Sequence, residues 1–167
     1  SWILERRHHA QRYPQRSPRI LCCGPLLDGA TAYWPLMGRA HPDRQAIEDS
    51  VREVVNRGVD AVKLYVDVTH DQMEGAAAVA HHHGKHLLAH LGRITAAEAA
   101  AAGVDEVQHL TGCAVAWQQS PPEALDALCN ELLPHGTVMC PTLVVWDRIG
   151  RVNEPAFRQD RRLPWVP

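Results

Sequence analysis

Three side chains of this sequence have the types and the spacing for shared chemistry. Lys63 sits inside VDAVKLYVDV (59–68), a run otherwise fit for a buried β-strand. His90 falls in HLLAHLG and His109 in VDEVQHLTG, the next two apolar runs. A neutral imidazole offers a lone pair to a metal ion. A lysine held out of water loses its proton more readily and becomes a nucleophile or a base. Lys63 lies five residues after Gly58, His90 six after Gly84, and His109 six after Gly103. On successive parallel strands this spacing predicts three ligand-capable groups at nearly the same height. Side chains alternate along a strand. Ala61, Lys63 and Tyr65 are therefore expected on one face, as are His86, Leu88 and His90, and Asp105, Val107 and His109. Each residue alone has a plainer reading, as a hydrogen-bonded core histidine or a lysine whose ammonium reaches water. The three together favour one metal site.

The elements that must position them are marked by glycines and caps. Gly58, Gly84, Gly103 and Gly136 each sit where a helical pattern stops and an apolar run begins, the place for a left-handed C′ glycine. Asp71-Gln-Met-Glu74, Thr95-Ala-Ala-Glu98 and Ser120-Pro-Pro-Glu123 fit capping-box spacing, and Asp43 can cap an earlier helix. Helices are expected at 44–57, 72–83, 96–102 and 122–134. Strands are expected at 18–24 (PRILCCG), 59–67, 86–91, 104–110 and 137–145. Strict alternation argues for α/β architecture with a parallel sheet. Glu106 and Gln108 need polar partners if VDEVQHL is a strand. His81-His82-His83 and His86 lie at a helix end and read as surface residues.

Bulk composition excludes several classes. A length of 167 residues with 46% hydrophobic and 22% charged residues suits one globular domain. A net charge of −2 gives no electrostatic footprint for nucleic acid or a lipid surface. The arginines at 6, 7, 12, 16 and 19 read as a solvated face or loop. Five cysteines without a CxxC motif read as buried free thiols in a reducing compartment, hence a cytoplasmic location. No run approaches the roughly 20 apolar residues of a membrane span. No phosphate-cradling glycine motif follows any strand.

DAVKLYV, GKHLLAHLG, AAGVDEVQHLTG and HGTVMCPTL, in this order, resemble the amidohydrolase superfamily, in particular its imidazolonepropionase-like and prolidase-like branch. The resemblance runs from about residue 18 to 148. It implies a partial (β/α)8 barrel, roughly strands 3 to 7, in one incomplete domain over 1–167. Segments 1–17 and 150–167 are expected to be peripheral or poorly ordered. It implies one or two divalent metal ions, zinc above all, held by Lys63, His90 and His109, with Lys63 carbamylated if the centre is dinuclear. A metal-activated hydroxide would then cleave C–N bonds of an amide, peptide or cyclic amide. Trp34, Tyr65 and Arg93 would contact a small-molecule substrate, with Tyr33, Thr111 and Trp146 on neighbouring loops.

The sequence departs from that pattern at two places. The His-x-His of strand 1 has no counterpart before Leu21, and the strand-8 Asp that acts as general base has none either. Asp147 is a poor substitute. The chain is therefore expected to be a fragment with little or no activity alone. Two other readings stand beside it. Lys63 could form a Schiff base in a lyase or aldolase. Alternatively, the chain could be a non-catalytic barrel module whose open sheet edges favour a homo-oligomer.

Overall fold

The computed structural model describes residues 2–113 and 122–159. Helix α1 (Trp2–Arg12) precedes two short strands, β1 (Leu26–Leu27) and β2 (Gly38–Arg39). A regular alternation follows: α2 (Arg44–Asn56), β3 (Ala61–Leu64), α3 (His70–His82), β4 (His86–Ala89), α4 (Ala96–Ala101) and β5 (Glu106–Gln108). Then come α5 (Pro122–Leu132), a 3-10 turn (Leu133–His135), β6 (Val138–Cys140), α6 (Leu143–Gly150) and α7 (Pro155–Arg158). The strands form one sheet in the order β2-β1-β3-β4-β5-β6, and every pairing is parallel.

One face of the sheet is apolar. Val62, Leu64, Leu87, Ala89 and Val107 are fully buried. They share a core with Ile47, Val51 and Val54 of α2, Met73, Ala76 and Ala80 of α3, and Ala96 and Ala99 of α4. The alanines of α3 and α4 let these helices lie close to the sheet. Asp43 caps α2 by accepting from the Ala46 amide, and Thr95 closes a capping box with Glu98 on α4, both as expected. Gly58, Gly84, Gly103 and Gly136 all have positive φ, as the C′ reading requires.

Several expectations need correction. Residues 18–24 are not a strand. Cys22 exchanges hydrogen bonds with Asp60 at the foot of β3. Gly24 then takes φ +80° and Pro25 has no amide to donate, so the ladder starts only at Leu26. The two-residue β2 is too short to be read from periodicity. Helix α3 starts before Asp71, because Thr69 and Gln72 form the capping box. The strand expected over 137–145 ends at Cys140, and Thr142 in the left-handed region turns the chain into α6. Arg7 is not on a solvated face. It is buried, paired to Asp60 at 2.8 Å, and donates to the Gly58 carbonyl. Of the five free cysteines only Cys22 and Cys113 are buried, while Cys129 is exposed. Ser120 and Pro121 lie outside the described residues.

The loops leaving the C-terminal ends of the strands pack backbone against backbone. A Cβ at Gly92 would stand 2.2 Å from the Val66 carbonyl oxygen, and one at Gly29 would stand 1.8 Å from that of Asp67. Neither position has room for a methyl group. Gly92→Ala is expected to cost about 1–3 kcal/mol by overpacking and to lower the thermal midpoint in a melting experiment. An unchanged midpoint would mean that these loops are not held in contact.

Candidate metal centre

The second face of the sheet is polar. Lys63, Glu106 and Gln108 point to it, since their neighbours Val62, Leu64 and Val107 fill the core on the other side. Lys63 is only 9% exposed. Its ammonium donates to the Gln108 side-chain carbonyl, and the Gln108 amide donates to Glu106 at 3.0 Å. These are the partners that a strand carrying Glu106 and Gln108 requires. Burial lowers the Lys63 pKa from 10.5 to about 8, against the opposing pull of Cys23, Glu106 and Cys140.

His90 follows β4 and lies on the Lys63 side of the sheet. Strand register does not put it level with the lysine, contrary to the expectation. Lys63 pairs with Leu88, and Leu88 pairs with Glu106. His90 is thus one pleat farther toward the C-terminal end, on the order of 6–7 Å along the strand. The lysine side chain leans toward that end, to Gln108, two residues beyond the Glu106 that stands level with it. Burial lowers the pKa of His90 and of His109; the neighbouring His109 and then the Lys63 charge add to it at His90, and the Lys63 charge adds to it at His109.

His109 departs from the simple alternation. Counting by twos from Val107 would send its side chain to the helix face. Instead His109 and Leu110 adopt φ +68° and +62°, a region non-glycine residues seldom enter. The turn brings the His109 ring beside that of His90, with centroids 5.1 Å apart. Two contacts hold it there. The His109 amide donates to the Cys140 carbonyl at 2.9 Å, and Nδ1 lies 2.9 Å from the Thr142 hydroxyl.

An aromatic wall continues from the histidines. The Tyr65 ring lies 4.9 Å from that of His90, and the Trp34 indole N–H donates to the Tyr65 hydroxyl at 3.0 Å. Tyr33 stands edge-on to both Trp34 and Tyr65. Asp28, fully buried, fixes this segment by accepting from the amides of Gly29, Tyr33 and Asp67. Arg93 is 86% exposed and pairs with Asp67 at 3.3 Å, away from the histidines' own contacts. The Thr111 hydroxyl braces the loop between Leu91 and Gln108. Trp146 lies in α6 and donates to the Pro141 carbonyl. Asp147 pairs with Arg151 in the same region. His81, His82, His83 and His86 are exposed, and His81 pairs with Asp105 at 2.9 Å.

The donor set fits a divalent ion in part. His90 and His109 are adjacent, and burial lowers both pKa values, which favours the neutral ring that keeps a lone pair. Among the described residues no group of three His, Cys, Asp or Glu side chains could hold a metal. Gln108 and Thr142 escaped the sequence reading as site residues. The first was visible only as a polar residue in a strand, and the second gave no signal beyond its place in HGTVMCPTL.

No family model and no curated protein matches this sequence. Solved structures do. Bottromycin amidohydrolase is 24% identical with a TM-score of 0.62, over 84% of this chain and 33% of that one. A Xaa-Pro dipeptidase with bound methionine in the active site is 18% identical with a TM-score of 0.65, over 90% and 41%. Ochratoxinase from A. niger is 12% identical with a TM-score of 0.63, over 90% and 42%. This chain shares its fold with these structures. It spans about two-fifths or less of the length of these structures. Its six parallel strands are part of such a (β/α)8 barrel, and His90 and His109 lie at the C-terminal ends of β4 and β5, the end that carries the active sites of these barrels.

The Lys63 pKa yields a pH prediction. Below pH 8 folded and unfolded chains both hold the proton, and the buried ammonium destabilises the fold. Between pH 8 and 10.5 only the unfolded chain holds it, so stability rises with pH. In bicarbonate-free buffer, wild type should therefore gain on Lys63→Met across this window, by on the order of 3 kcal/mol in total. Denaturant titrations at several pH values check this. A constant difference would place Lys63 in water.

Proposed function

We propose that Lys63, His90 and His109 belong to the metal centre of a hydrolase that cleaves the C–N bond of an amide, peptide or cyclic amide. The observation that carries this is the left-handed backbone at His109, which sets its imidazole beside His90. Strain of this kind persists where the surrounding structure over-determines it, and it clusters at functional sites. The fold and the functions of the similar structures support the same reaction class.

In this reading His90 and His109 hold a divalent ion, zinc in the first instance, through neutral ring nitrogens. A divalent metal in such a site polarises a carbonyl and lowers the pKa of a bound water. Lys63 supplies the third donor as a carbamate. Its neutral amine, made accessible by the lowered pKa, adds to carbon dioxide, forming an N–C bond and releasing one proton. The resulting anion is suited to a buried place facing a cation. Tyr65 and Trp34 flank the substrate next to His90. Arg93 takes a substrate carboxylate by exchanging Asp67 for it. We assign the His-x-His pair and the general-base Asp to residues beyond these 167, so that the chain alone binds metal and turns over little or nothing.

The lowered Lys63 pKa also suits a Schiff-base nucleophile. Zinc titration calorimetry separates the two. The metal reading expects one site, weakened by about tenfold or more, roughly 1.4 kcal/mol, in His90→Ala and in His109→Ala, and unaffected by His83→Ala. Bicarbonate should strengthen it in wild type and not in Lys63→Met. Zinc binding insensitive to His90 and His109, together with borohydride trapping of a carbonyl compound on Lys63, would overturn it in favour of the lyase.

A further inference from the structure

We propose that Thr142 is a positioning residue that fixes the tautomer of His109 and so leaves Nε2 free as the ligand atom. The inference rests on the metal centre proposed above, but its geometry stands by itself. The Thr142 hydroxyl lies 2.9 Å from His109 Nδ1 and donates to the Pro141 carbonyl at 2.8 Å. A hydroxyl has one proton to give. With that proton on Pro141, the contact with His109 has one arrangement: Nδ1–H donates and the threonine oxygen accepts. A neutral imidazole carries a single N–H, so Nε2 keeps its lone pair.

Two further observations set Thr142 apart. It stands at the N-cap of α6, where threonine ordinarily accepts from an amide of the first turn, yet it makes no side-chain cap bond. Its hydroxyl serves His109 instead of the helix. It also has φ +49°, an outlier for a β-branched residue. The non-glycine residues with positive φ, among those described, are His109, Leu110 and Thr142. All three belong to the two turns that this one hydrogen bond joins. The strain of both turns is thus concentrated on bringing the hydroxyl and the ring together.

The test is the ¹⁵N spectrum of the histidine-labelled, zinc-free chain, with the His109 signals assigned by their loss in His109→Asn. The Nδ1–H tautomer is expected in wild type and in Thr142→Ser. Thr142→Val should lose it in favour of Nε2–H. Thr142→Gly should do the same, and it permits the left-handed backbone if valine does not fold. Zinc affinity should fall about 10–100-fold in the valine and glycine variants and stay near wild type in the serine variant. An Nε2–H tautomer in wild type, or an Nδ1–H tautomer that survives removal of the hydroxyl, overturns the proposal. If the tautomer follows Thr142 while zinc binding ignores His90 and His109, the tautomer control stands and the metal centre fails.

Discussion

Alternation of side chains along β5 is the constraint around which this site is built. The strand must give Val107 to the core and Gln108 to Lys63, and after those two the next side chain belongs to the core again. A histidine needed on the polar face cannot be reached by continuing the strand. The chain leaves the strand at once, through two residues in the left-handed region. For non-glycine residues this costs about 1–2 kcal/mol each. The cost is offset by the Cys140 carbonyl, which takes the His109 amide, and by Thr142, which holds the ring. Cys140 ends β6 and Thr142 lies in the turn that follows, so the placement of His109 depends on the pairing of β5 with β6.

The two faces of the sheet divide the work. The apolar face, packed under α2, α3 and α4, fixes strand register through side chains that are wholly buried. The polar face carries Lys63, Gln108 and Glu106 joined by hydrogen bonds. Because the register is fixed from behind, these groups stay in place although an ammonium among them is costly to desolvate. The same desolvation lowers the lysine and histidine pKa values, which favours the neutral form of each side chain. The aromatic wall and the Asp28 hub extend this order outward into the loops.

Much of this was legible in the sequence. Capping residues and C′ glycines mark local backbone events, and Asp43, Thr95, Gly58, Gly84, Gly103 and Gly136 each did what their type requires. What escaped was decided by tertiary contact. Residues 18–24 have the composition of a strand, but the Cys22 amide donates to the Asp60 side chain, and Gly24-Pro25 interrupts the ladder. Arg7 looks like one of a basic run until Asp60 meets it inside the fold. Counting by twos correctly predicted the face of Lys63 and failed for His109, because nothing local in QHLTG announces a left-handed turn at histidine and leucine. Thr142 was invisible for the same reason, since its role depends on a turn more than thirty residues distant in sequence.

The most direct measurement is an anomalous difference map, at the zinc edge, from crystals of the chain grown with zinc and bicarbonate. The account predicts a peak bonded to a ring nitrogen of His90 and to Nε2 of His109, at about 2.0–2.1 Å from each, with density extending from Lys63 Nζ toward it. A peak at His81–His83 with none between His90 and His109 would contradict it.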